Sequence, residues 1–166
     1  MTETRKKTPL GVLVVFIFAL FSAISIIIIH FVALPWFLPI PQVWSVAIGF
    51  LLLLIGFPIM ASTMKNLKIH RAFGDEIYTT KEESQLVTTG VYAYTRNPLY
   101  LSATLLFFGW SLFLMLTFLL IIALLFIPLF GFVAKWEENE LIERFGAEYL
   151  SYKERVPRFF PQPRRN

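Results

Sequence analysis

Gly90-Val91-Tyr92-Ala93-Tyr94-Thr95-Arg96-Asn97-Pro98-Leu99-Tyr100 is the junction between a charged segment and an apolar one. Arg96 is the last charge before a run, Asn97 to Ala134, that contains no Asp, Glu, Lys or Arg. An uncharged run of that length belongs in hydrocarbon, and a guanidinium at its edge does not lose its proton. Ionisable groups held against hydrocarbon are costly, so one placed there points to a function. Asn97-Pro98 is also a good helix start: Asn suits the cap, and Pro suits a first turn whose donors have no partner inside the helix. Such a start leaves backbone N–H groups free to attract a carboxylate.

Working outward from this junction, the interval between Lys7 and Lys65 contains no Asp, Glu, Lys or Arg. It is too long for one membrane span, which takes about 20 residues. Ala33-Leu34-Pro35-Trp36-Phe37-Leu38-Pro39-Ile40-Pro41 divides it, because three prolines forbid a continuous helix. The reading is one helix over Leu10 to Val32 and a second over Gln42 to Met64, with Trp36 and Trp44 at the interface and a kink near Gly56 and Pro58. The first apolar segment exceeds the ~7–15-residue core of a signal peptide and no small-residue cleavage site follows, so it reads as a retained anchor. The run Asn97 to Ala134 would be ~57 Å long as one helix, nearly twice a ~30 Å bilayer core. It reads instead as two short helices, Pro98 to Leu114 and Phe118 to Lys135, joined by a tight hairpin.

Charge sets the topology. Arg5, Lys6 and Lys7 precede the first helix; Lys65, Lys68 and Arg71 follow the second; Arg96 precedes the third; Lys135 ends the fourth. The two opposite connections have no Lys or Arg. The positive-inside rule then predicts four spans with both termini in the cytoplasm. The expected fold is an all-α polytopic membrane helix bundle with four transmembrane helices. It is one domain: a hairpin over 1–64, a cytoplasmic connector over 65–96, a second hairpin over 97–135 and a cytoplasmic tail over 136–166. The connector, with a turn at Ala72-Phe73-Gly74-Asp75 and an extended piece at Val87-Thr88-Thr89-Gly90, is too long to be a simple link. In the tail, Trp136, Leu141, Ile142, Phe145, Tyr149 and Tyr152 recur at helical spacing. They predict an amphipathic helix on the headgroups, bent at Gly146 and stopped by Val156-Pro157-Arg158-Phe159-Phe160-Pro161.

Composition agrees. The chain is 57% hydrophobic and 16% charged, where a soluble domain has about 25% charged residues. Cysteine is absent, which excludes disulfides, thiolate metal sites and Cys nucleophiles. His30 and His70 lie too far apart to suggest a metal cluster. The net charge of +4 is spread over the apolar boundaries, a pattern for an anionic membrane face rather than nucleic acid.

The chemistry gathers at one border. Glu137-Glu138 follow the fourth helix and Arg96 precedes the third, so a hairpin brings them side by side. Two readings fit. Arg96 can grip a ligand carboxylate in a two-pronged contact while a glutamate faces an ammonium or a sulfonium. Equally, the three residues can form an interfacial salt bridge that pins the hairpin. Tyr92, Tyr94 and Tyr100 around Arg96 are either interfacial anchors or an aromatic rim for a cation. Gly90 is either a turn or a place where a ligand approaches the backbone.

Leu86-Val87-Thr88-Thr89-Gly90-Val91-Tyr92, Arg96-Asn97-Pro98-Leu99-Tyr100, Glu137-Glu138 with Leu141, Phe145-Gly146, Glu148-Tyr149, Tyr152 and Val156-Pro157-Arg158 together resemble the isoprenylcysteine carboxyl methyltransferase family. The same pattern is similar to the wider group of small membrane methyltransferases, phospholipid N-methyltransferases included. The resemblance covers residues 86–161 and rests on order and spacing. It implies S-adenosylmethionine as methyl donor and a lipophilic acceptor that enters from the bilayer. It implies catalytic roles for Arg96 and Glu137, and cofactor contacts for Gly90, Tyr92, Asn97, Pro98, Tyr100, Glu138, Tyr149 and Arg158, with no metal. Asn97 stands where the family often has His, and Asn cannot serve as a titratable base. A carboxylate acceptor needs no base, because it is ionised at neutral pH, whereas an amine must first lose a proton. The expectation is a multi-pass inner-membrane enzyme with its site on the cytoplasmic face, acting on an isoprenylcysteine-like carboxylate. The alternatives are a phospholipid headgroup N-methyltransferase and a non-catalytic membrane scaffold.

Overall fold

The computed structural model describes residues 10–31, 40–66 and 86–160. Among these residues the architecture is all-helical: α1 (Leu10–Phe31), α2 (Gln42–Asn66), a 3-10 turn (Gly90–Ala93), α3 (Pro98–Phe113), α4 (Thr117–Phe145) and α5 (Ala147–Arg155). The proline-rich turn around Pro35, the turn at Ala72–Asp75, the basic cluster Arg5–Lys7 and the side chain of His30 lie outside the described residues.

The helices sit close to where periodicity and charge put them. Helices α2 and α4 are long and apolar enough to cross a membrane. Their outward faces carry Trp44, Phe50, Leu51, Leu125 and Phe132, all more than half exposed. In water such belts would aggregate; against lipid tails they cost nothing.

Because lipid gives helices no hydrophobic reason to associate, packing must come from close approach and shape. The α2–α3 seam shows how. Ser45, Gly49, Leu53, Gly56 and Thr63 are buried along one face of α2. A Cβ on Gly49 would fall 2.8 Å from the Gly109 carbonyl oxygen and against the backbone of Phe113, so the two backbones are nearly in contact. The Ser45 hydroxyl donates to the Leu112 carbonyl at 2.9 Å, across the same seam. Residues 45, 49 and 56 thus face 112, 109 and 106, an antiparallel register. The α3–α4 seam is aromatic instead. Phe107 stacks on Phe126 with centroids 4.7 Å apart, and Tyr100 packs on Phe130 at 5.4 Å.

The hairpin between α3 and α4 closes without glycine or proline. The N–H of Met115 donates to the Leu112 carbonyl and that of Leu116 to the Ser111 carbonyl, both at 3.1 Å. Met115 has φ 54°, in the left-handed region. This is a Schellman ending in which a methionine takes the position glycine usually fills.

The largest departure from expectation lies at the far end of α4. The helix does not stop near Lys135 but runs unbroken to Phe145, carrying the charged Glu137–Glu143 segment as its last turns. Gly146, with φ 54°, then turns the chain into α5. The apolar face of α5 does not lie free on the headgroups. Tyr149, Tyr152 and Val156 form a small second core with Leu86, Leu141, Ile142 and Phe145. The piece before Gly90 is extended at Thr89, as expected, without forming a strand, and it leads into the 3-10 turn.

Candidate active site

Antiparallel pairing of α3 with α4 brings the start of one beside the charged turns of the other. The tail then folds back across both. The Arg96 N–H donates to the Pro157 carbonyl at 2.9 Å and the Asn97 N–H to the Arg158 carbonyl at 3.2 Å. The Arg158 carbonyl also accepts from the Thr95 hydroxyl at 3.0 Å and the Asn97 amide at 3.2 Å. Tyr152 fastens α5 to the 3-10 turn, its hydroxyl donating to the Tyr92 carbonyl at 2.7 Å.

At the centre is Glu138, only 2% exposed. Arg158 clasps it with two bonds, Nε to Oε1 at 3.0 Å and Nη2 to Oε2 at 2.7 Å. Arg96 Nη1 approaches Oε1 at 3.2 Å, and the Asn97 amide donates to the same oxygen at 3.3 Å. Lys153 Nζ stands at 4.0 Å. Glu138 lies beyond the uncharged stretch of α4 that ends at Ala134. Burial alone would raise its pKa; the Arg158 bonds, the charges of Arg96 and Arg158 and the Asn97 amide outweigh burial and hold it below the ordinary range. The same bonds raise Arg158. A burial penalty, reinforced by the Glu138 charge, pushes the Tyr149 phenol up, against the opposing pull of Arg96.

A second pair lies beside the first. The Tyr100 hydroxyl donates to Glu137 Oε2 at 2.9 Å. Tyr92, whose phenol is raised mainly by burial and further by Tyr152 and Glu137, flanks it.

The structure therefore gathers Arg96, Asn97, Glu138, Tyr149 and Arg158 in one ionic knot, with Tyr92, Tyr100 and Glu137 next to it. Pro98 sits buried at the first turn of α3, while Asn97 does not cap that helix with its side chain. Its amide is used on Glu138 and on the Arg158 carbonyl instead. Gly90 is more than a turn residue. It has φ 62°, and the Asn66 amide lies so close that any Cβ would collide with it. Sequence reasoning missed two members of the cluster, Thr95 and Lys153, and also Asn66 beside Gly90. Thr95 and Lys153 carry no spacing signal, and Asn66 looks like the ordinary polar end of an apolar helix.

Two guanidiniums thus surround one buried carboxylate. Arg158 satisfies both oxygens of Glu138. Arg96, with its side chain 8% exposed, keeps Nε and Nη1 without a hydrogen bond among the described residues, although Nη1 remains in ionic range of Glu138. A shallow apolar groove of about 470 Å³, lined by Val43, Val46, Phe50, Phe113 and Met115, lies at the opposite end of the α2–α3 pair, far from these charges.

The class this defines is a helical membrane protein that holds a buried ionic cluster at one end of its bundle. The chain matches the phospholipid methyltransferase family over residues 44–148, and it belongs to that family. It is 40% identical over 87 residues to a protein-S-isoprenylcysteine O-methyltransferase of Saccharomyces cerevisiae, covering 48% of this chain and 35% of the relative. It is 32% identical over 124 residues to the mouse and rat proteins of the same name, covering 71% of this chain and 42% of each. The chain thus spans about two fifths or less of the length of these curated relatives. No solved structure matches it.

Proposed function

We propose that this chain binds S-adenosylmethionine at the Arg96 end of the bundle and passes its methyl group to a lipophilic acceptor, the carboxylate of an isoprenylcysteine-like lipid. The observation that carries this reading is Arg96. A buried guanidinium whose Nε and Nη1 make no hydrogen bond among the described residues, Nη1 having only ionic contact with Glu138, is a costly arrangement that a second anion would complete. The cofactor's methionine arm is a zwitterion, and the site offers one group for each end. Arg96 would hold the carboxylate. Glu137, steadied by the Tyr100 hydroxyl and flanked by Tyr92, would face the positive end.

When bound, the cofactor would supply an activated methyl for an acceptor oxygen, its sulfur keeping the electron pair of the S–CH3 bond, so that no proton need move. The chain's own residues then have positioning and electrostatics to provide. Asn97 and Arg158 fix Glu138, and Glu138 orients Arg96. Asn97 cannot take a proton, and the Tyr92, Tyr149 and Tyr152 phenols are all pushed up, which suits an acceptor already ionised at neutral pH better than an ammonium. The names of the yeast and rodent relatives favour the same acceptor class.

The test uses the full chain in detergent with methyl-labelled S-adenosylmethionine and two acceptors, N-acetyl-S-farnesylcysteine and phosphatidylethanolamine micelles. The expected product is a base-labile methyl ester on the first. Label on the phospholipid amine would move the acceptor to the headgroup class, and label on neither would reject the enzyme reading in favour of a scaffold.

A further inference from the structure

Asn66 has no part in the ionic knot, yet its environment is unusual. It is the last described residue of α2, and its side-chain nitrogen is buried with no hydrogen-bond partner among the described residues. A buried amide N–H without an acceptor is one of the less tolerable arrangements in a folded protein. The amide is also held in place. It lies against Gly90, where a Cβ would fall 3.0 Å from its Cγ and 3.1 Å from its Oδ1 and would clash with Nδ2. Gly90 opens the turn that carries Tyr92 and, six residues on, Arg96. The orphan donor thus borders the segment that supplies the proposed cofactor contacts.

We infer that the Asn66 carboxamide is an adenine-reading group of this site, donating through Nδ2 to a ring nitrogen of the purine. The inference rests on the cofactor reading above and adds a recognition residue on α2, a helix to which that reading assigns none. Two features select the ligand chemistry. A carboxamide presents a donor and an acceptor side by side, which matches the ring nitrogen and exocyclic amine on the edge of adenine. Gly90 is solvent-exposed and has no side chain to obstruct a flat ring brought against the amide.

The test is calorimetry on the full chain in detergent, with S-adenosylhomocysteine and its inosine counterpart, in which the exocyclic amine is replaced by a carbonyl. Wild type should prefer the adenosyl compound. Asn66→Ala should weaken adenosyl binding about tenfold, bring the ratio of the two affinities towards one, and leave the thermal midpoint unchanged or higher because an unpaired donor is gone. Asn66→Asp, which keeps the shape and removes the donors, serves as the second variant and should lose adenosyl binding likewise. Folded variants that bind and discriminate as wild type does would overturn the inference and leave the cofactor reading standing. A wild-type chain that binds neither compound would overturn both.

Discussion

Arg158 grips Glu138 with two parallel bonds, 3.0 and 2.7 Å long, from a tail segment whose backbone is itself bonded to Arg96 and Asn97. The tail is therefore a structural part of the site. Removing the buried carboxylate leaves Arg96 enclosed without its counter-charge, an effect of about 3–5 kcal/mol for buried pairs. Glu138→Ala should lower stability by that order in a denaturant or detergent-unfolding titration. Arg158→Ala should lower it less, because the Arg158 side chain is 36% exposed and Arg96 keeps its partner.

Acid should act through the same residue. The folded-state pKa of Glu138 is held below its ordinary value of 4.5. Its stabilising contribution is then complete above that value and drains away as pH falls through the lower, folded-state value. A thermal midpoint followed from neutral pH downward should show this acid limb in wild type. In Glu138→Gln the limb should be shallower, on a lower plateau.

The α2–α3 seam predicts a contrast between two glycines. Gly49→Ala puts a methyl group against the Gly109 carbonyl and the Phe113 backbone, neither of which can swing aside, and should destabilise by about 1–3 kcal/mol. Gly131→Ala meets nothing within 4 Å and should be neutral or stabilising by up to about 1 kcal/mol. Paired unfolding titrations check both.

The hairpin makes a similar prediction. Met115 holds a left-handed conformation that costs an L-residue about 1–2 kcal/mol. Met115→Gly should retain stability or raise it slightly, and Met115→Val, branched at Cβ, should lower it by about 1–2 kcal/mol, measured in the same way.

The sequence made some of this legible and left the rest hidden, for physical reasons. Uncharged runs and prolines located α2 and α3 to within a residue or two, because hydrocarbon punishes charge. The same signal misjudged the end of α4: charge at Lys135 marks where the uncharged run stops, not where a helix must, and Glu, Leu and Arg continue a helix well. The meeting of Arg96 with Glu138 followed from the hairpin. That Arg158 would saturate Glu138, leaving Arg96 with spare donors, did not, since it depends on backbone bonds between residues 96–97 and 157–158 that no local pattern announces. Asn66 was invisible for a related reason: what sets it apart is a side-chain nitrogen with no hydrogen-bond partner among the described residues, and sequence does not record that.

The central claim is that Arg96 awaits the carboxylate of the cofactor's amino-acid arm. Calorimetry on the wild-type chain with S-adenosylhomocysteine and with 5′-methylthioadenosine, which keeps the adenosyl thioether and lacks that arm, tests it without disturbing the fold. The account predicts a preference for S-adenosylhomocysteine of about tenfold or more. Equal affinity for the two would contradict it.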